Sequence, residues 1–178
     1  TIETIIVDAA GIIYVAAKAG LAVSIDQGKS YFINTKAYKS ENIDHIWLAV
    51  EKTGIVYLGI NYYTQGGLNI ESRIISSKDA GKTFVSVVGW KGSEITALAA
   101  GQAESLLVGT RDSGFSISND AGKTFVSKKG ALGISSSFFG GVPDVNDFAV
   151  GASGTIYIAT WNDGLFVSKD GGQTFVHK

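Results

Sequence analysis

The chain contains no cysteine, so it can form neither a disulfide framework nor a thiolate metal site, and it has no thiol nucleophile. It also lacks methionine and opens at Thr1. A full translation product starts with Met, so the sequence predicts a processed or excised piece: a mature chain after signal removal, a proteolytic fragment or a designed chain. Pro143 is the single proline, whereas glycine supplies 23 of 178 residues, well above the roughly 7 % of ordinary domains. That balance predicts tight turns rather than linkers. No apolar run is longer than a strand, so no bilayer-spanning segment is expected. Fifteen basic and sixteen acidic residues nearly cancel and form no like-charged run. A nucleic acid or an acidic membrane therefore has no electrostatic footprint here. The two histidines, His45 and His177, are too few for a metal cluster and are expected to be solvated; no metal and no cofactor is predicted. The length suffices for one domain with its own core.

A motif occurs four times: Ser24-Ile-Asp26-Gln-Gly28-Lys-Ser30-Tyr31, Ser77-Lys-Asp79-Ala-Gly81-Lys-Thr83-Phe84, Ser118-Asn-Asp120-Ala-Gly122-Lys-Thr124-Phe125 and Ser168-Lys-Asp170-Gly-Gly172-Gln-Thr174-Phe175. Its aspartates lie 53, 41 and 50 residues apart, close to the 40–50 residues of a propeller blade. The residue types suit a hairpin turn. Asp accepts backbone N–H bonds just ahead of it, Gly takes a positive φ without penalty, and the hydroxyls close the remaining local bonds. The aromatic that follows is expected to turn inward over the hairpin. Before each copy, short alternating apolar runs read as strands, and no stretch has a helical period.

The motif resembles the Asp box, or bacterial neuraminidase repeat, Ser-x-Asp-x-Gly-x-Thr-aromatic, and the resemblance covers essentially the whole chain. It implies an all-β β-propeller of four four-stranded antiparallel blades, at about residues 1–34, 43–88, 95–128 and 145–178, as one domain over 1–178. The first strand of each blade would line a central channel and the fourth its outer edge. Closure stays open among a small closed ring, half of an eight-bladed dimer and part of a larger propeller.

Asp boxes occur in sialidases, xyloglucanase-like glycosidases, sortilin-type receptors, photosystem II assembly factors and several lectins, and lie there away from the functional face. The resemblance therefore makes Asp26, Gly28, Asp79, Gly81, Asp120, Gly122, Asp170 and Gly172 structural. Sialidases grip a substrate carboxylate with three arginines; only Arg73 and Arg111 are present, and lysine does not replace a bidentate clamp. A glycosidase of the xyloglucanase kind needs two facing carboxylates, and none can be assigned here. Loops after the second strand of each blade share one face with the inter-blade loops. That face is expected to carry Tyr62 and Tyr63, Arg111 and Asp112, Trp161, Asn162 and Asp163, together with Trp90 and the long 130–144 segment with Phe138 and Phe139. Aromatics beside amides and charges suit sugar recognition. Trp47, inside a strand, is expected in the core. The sequence thus points to a non-catalytic binding or scaffold module, secreted, periplasmic or on the cell surface, whose partner is a glycan or a protein. The competing class is a glycoside hydrolase fragment whose catalytic residues lie partly outside the chain.

Overall fold

Short apolar runs, most of them cut off by a positive-φ turn, form sixteen strands among the described residues, which are 1–38, 42–111, 113–133 and 141–178 of a computed structural model. Blade one comprises β1 (Ile2–Val7), β2 (Ile13–Ala17), β3 (Gly20–Ser24) and β4 (Phe32–Asn34). Blade two comprises β5 (Ile43–Val50), β6 (Val56–Thr64), β7 (Asn69–Ser77) and β8 (Val85–Ser86). Blade three holds β9 (Ile95–Ala100), β10 (Leu106–Thr110), β11 (Gly114–Ser118) and β12 (Val126–Ser127), and blade four β13 (Val145–Val150), β14 (Ile156–Thr160), β15 (Leu165–Ser168) and β16 (Val176–His177). Each blade is an antiparallel sheet whose strands lie in chain order. The fold is therefore all-β, in four four-stranded antiparallel blades.

The register repeats in detail. In every blade the first strand skips one residue near its start: Glu3, Asp44, Thr96 and Asn146 have no partner on the second strand. Such a bulge re-aims side chains and strengthens the local twist. Blade two departs from the sequence expectation. The segment expected as a loop around Tyr62 and Tyr63 continues the ladder instead, Asn61 facing Ser72, Tyr62 facing Glu71 and Tyr63 facing Ile70, out to Thr64 and Asn69. Alternation in Asn61-Tyr62-Tyr63-Thr64 matches alternation on the returning strand, and Gly66 and Gly67, both at positive φ, turn the chain over. The fourth strands are only two or three residues long, and the aromatic of each motif stands before the strand rather than in it.

The chain divides into two compact units, Thr1–Val87 and Val88–Lys178, of two blades each. In the first, Tyr14, Leu21 and Val23 of blade one pack on Ile46, Leu58 and Ile60 of blade two. In the second, Leu107, Phe115 and Ile117 of blade three pack on Phe148, Ile158 and Phe166 of blade four. Each such side chain, taken fully out of water, contributes about 1.5–3 kcal/mol. Trp47 is half-buried rather than core: its ring meets that of His45 edge-on at 4.4 Å. No helix among the described residues is long and apolar enough to cross a membrane.

Candidate functional site

The four repeated hairpins share one hydrogen-bond pattern. In the third, Ser118 Oγ donates to Asp120 Oδ1 at 2.8 Å and accepts the Gly122 N–H at 2.8 Å. Asp120 in turn accepts the Thr124 N–H at 2.9 Å and the Thr124 hydroxyl at 2.6 Å. The same bonds recur at Asp26, Asp79 and Asp170. They favour the ionised form. The hydroxyl four residues on, followed by its N–H, holds the carboxyls of Asp26, Asp79 and Asp120 at about 2, and that of Asp170 lower still. The residue after each Asp is left-handed too: Gln27, Ala80, Ala121 and Gly171 have φ between 55° and 70°. Sequence reasoning anticipated the glycine but not this second positive φ, which only the fourth copy announces. These groups are consumed within their own turns.

At the other end of each second strand a different relation repeats. The N–H of the residue beyond the first strand's starting partner donates to the carbonyl just before that strand: Lys18 to Thr1 at 3.4 Å, Tyr63 to Asn42 at 2.8 Å, Arg111 to Glu94 at 3.2 Å and Trp161 to Asp144 at 3.0 Å. Lys18, Tyr63, Arg111 and Trp161 thus hold equivalent places in the four blades. Each unit presents one cation and one aromatic there, beside the bulge. This is the end on which the sequence placed its candidate residues.

In the first unit, Asn42, Tyr62, Tyr63, Thr64, Glu71, Ser72 and Arg73 line a recess of about 350 Å³, within the size range of small-ligand sites. The Arg73 guanidinium lies over the Tyr62 ring, 4.7 Å from its centroid. Burial raises the Tyr62 pKa, and the Arg73 charge opposes that rise. The buried Tyr62 hydroxyl has no partner at hydrogen-bonding geometry. Arg73 covers the ring face, so its influence is that of a nearby charge. Tyr63 is exposed on the opposite side of the strand. Lys18 reaches across to the Ile43 carbonyl with its Nζ at 3.0 Å. His45, whose side chain is 43 % exposed, pairs through Nδ1 with Glu3 Oε2 at 3.1 Å. That carboxylate, on the bulge, is largely buried, and no spacing in the sequence marked the pair.

In the second unit Trp161 stands 71 % exposed, with Asn162 and Asp163 following in the same turn. Arg111 is held by Glu94 in an ion pair of 2.8 Å. Trp90 does not join this surface. It is 9 % exposed and packs edge-to-face on Phe125 at 5.3 Å, because the residues around it fold over the indole. Asp112, Phe138 and Phe139 lie outside the described residues.

No protein-family model matches the chain, and neither does any curated protein sequence. Solved structures do match its fold. The GH74 xyloglucanase from Xanthomonas campestris is similar with a TM-score of 0.70 at 20 % identity, over 99 % of this chain and 30 % of that one. PorZ, an essential bacterial surface component of the type-IX secretion system of Porphyromonas gingivalis, gives 0.66 at 14 % identity, over 99 % and 27 %. YCF48 bound to D1 peptide gives 0.64 at 11 % identity, over 95 % and 50 %. This chain therefore spans between about a quarter and a half of the length of those chains. At these identities the likeness is one of fold: blades of the β-propeller kind.

Proposed function

We propose that the chain is a non-catalytic binding module of the Asp-box type, in which residues 1–178 act as one propeller domain outside the cytoplasm and recognise a glycan at the ends of the second strands, at Tyr62 and Tyr63 within the first unit and at Arg111 and Trp161 within the second. The observation that carries this reading is the recess beside Tyr62. A ring stacked by a guanidinium stands among an amide, hydroxyls and a carboxylate, as a sugar with apolar faces and hydroxyl rims requires. The exposed indole of Trp161, in the equivalent place of blade four, supplies a stacking surface of its own in the second unit. A glycan array followed by calorimetric titration tests the reading. Binding that falls roughly tenfold in Trp161→Ala or Tyr63→Ala, at unchanged melting temperature, is the expected result, since stacking on an aromatic contributes of order 1 kcal/mol. Binding that survives both substitutions would sink it. A protein partner is the second reading, supported by the fold shared with YCF48 bound to D1 peptide; peptide-array binding abolished by the same substitutions, with no glycan retained, would select it. Hydrolysis of an oligosaccharide by the pure chain would instead favour a glycosidase.

A further inference from the structure

Within the first unit, blades one and two meet in a recess of about 470 Å³ at the end of the sheets that carries the repeated hairpins. Blade two contributes Lys52, Lys78 and Lys82 to its lining, and blade one contributes Ala9, Ala10 and Ile12. The lysines come from two turns: Lys52 stands between β5 and β6, and Lys78 and Lys82 flank Asp79 in the repeated hairpin. All three are exposed, and none of their ammonium groups has an ion-pair or hydrogen-bond partner among the described residues. Each is a compact point charge on a long stem, so the recess gathers three unneutralised cations.

The neighbouring carboxylates are engaged in their own turns. Asp8 Oδ1 accepts the N–H groups of Ala10 and Ile12 at 2.9 Å each, and Oδ2 takes the Tyr14 hydroxyl at 3.4 Å. Asp79 is bound by Ser77 and Thr83, and the buried Glu51 accepts the Thr53 hydroxyl at 2.7 Å. A backbone donor is open as well. Ala80, left-handed at φ 55° and half-buried, lines the recess, and its N–H has no partner among the described residues. In blade three the equivalent Ala121 N–H donates to the Glu104 carbonyl at 2.9 Å. Asn34 of blade one fixes the turn, its Nδ2 donating to the carbonyls of Gly81 and Lys82 at 2.9 Å each, so a ligand meets donors that are already ordered. The second unit has a recess of about 460 Å³ at the equivalent junction of blades three and four, but Lys169, in the place of Lys78, is its one charged lining residue. Ala152 and Gln173 stand where blade two has Lys52 and Lys82. The junction itself therefore does not demand three lysines.

We propose that this recess binds a phosphate or sulfate monoester of a small polar molecule, its oxyanion held by Lys52, Lys78, Lys82 and the Ala80 N–H and its body lying against Ala9, Ala10 and Ile12. A tetrahedral oxyanion presents three terminal oxygens, which suits separate point donors arriving from two turns. A carboxylate presents two in one plane and matches the fork of an arginine instead. The volume argues against a free ion. It falls in the range of roughly 300–1,000 Å³ found for small-ligand sites, several times the space of one tetrahedral ion, so a body accompanies the charge. The site lies at the opposite end of blade two from the recess beside Tyr62, and it stands whether or not a glycan binds there.

Titration of the 178-residue chain with glucose 6-phosphate at low salt, followed through its backbone N–H signals by NMR, should give a saturable shift at Ala80 and none at Ala121. Glucose should leave Ala80 where it is, and added salt should weaken the binding, because exposed ammonium groups are screened. Glucose 6-sulfate in a parallel titration distinguishes the two sources of the oxyanion, the tighter ester identifying the group. Lys52→Ala combined with Lys82→Gln introduces the residues that the second unit carries at these places, in turns of the same form. That variant should bind the tighter ester roughly tenfold or more weakly, since hydrogen bonds to charged groups are among the stronger ones, whereas Lys169→Ala should bind it as the parent does. An Ala80 signal indifferent to both esters, an equal response to glucose, or a double variant that binds as tightly as the parent would each overturn the proposal.

Discussion

Arg73 lies across the ring of Tyr62 at 4.7 Å, two rungs along the β6–β7 ladder from the pair that Tyr62 makes with Glu71. Tyr62 belongs to a segment that reads as a loop in sequence and is part of a hairpin strand in the fold, whereas Arg73 reads as strand in both. Their stacking joins the two strands where the ladder leaves the core. Removing the guanidinium in Arg73→Ala should raise the Tyr62 pKa further, because a positive charge favours the phenolate. It should also cost about 0.5–1 kcal/mol of stability. A phenol titration by NMR, assigned with Tyr62→Phe, checks the shift; an unmoved pKa would mean that the charge is not felt at the ring.

Ser118→Ala should be more damaging than Thr124→Ala. Ser118 is almost fully buried, and its Oγ accepts the N–H groups of Asp120 and Gly122. Leaving buried donors unmatched costs about 1–3 kcal/mol, whereas Thr124 is exposed and its hydroxyl is replaced by water. Urea unfolding of the two variants beside the parent decides; equal midpoints would contradict the ranking.

Acid should weaken the fold through the motif aspartates. Their carboxyls sit at about 2 in three copies and lower in the fourth, against 3.8 for an ordinary Asp. The native state therefore holds these protons more weakly than the unfolded chain does. The stabilisation is present above about pH 4 and is lost as pH falls toward 2. Unfolding midpoints followed down this window should drop, and Asp120→Asn should flatten the slope. A midpoint independent of pH below 4 would rule the account out.

Ala121 and Ala80 occupy left-handed positions that an L side chain disfavours. Ala121→Gly should stabilise the chain by about 0.5–1 kcal/mol, the relief of backbone strain exceeding the added freedom of the unfolded glycine. Thermal melting of the variant checks the sign, and a lower melting temperature would show that the turn is not strained.

The two loop tryptophans should behave oppositely. Trp90→Ala empties a site packed against Phe125 and should cost about 3–5 kcal/mol. Trp161→Ala removes an exposed indole and should leave the melting temperature nearly unchanged. Side-by-side calorimetry of the two variants suffices, and a large loss for Trp161→Ala would place that ring in a core.

The sequence by itself determined the repeated turn and hence the blades. Ser118, Asp120, Gly122 and Thr124 complete their hydrogen bonds within seven residues, so the pattern is written where it acts. Four copies at blade spacing then set the number of sheets, and alternating apolar residues set their strands. Arg111 and Trp161 stand after a readable second strand, whereas Tyr62 and Tyr63 lie within theirs. Only the tertiary structure separated Trp90 from Trp161, since the burial of an indole depends on side chains that approach from other segments. Only it extended the β6–β7 ladder, aligned Arg73 with Tyr62 and brought His45 to Glu3, a pairing across forty-two residues of sequence. Tyr14 and Tyr157 stand at the same register of their blades, and burial alone separates them: Tyr14 packs into the core of its unit, whereas Tyr157 is 39 % exposed.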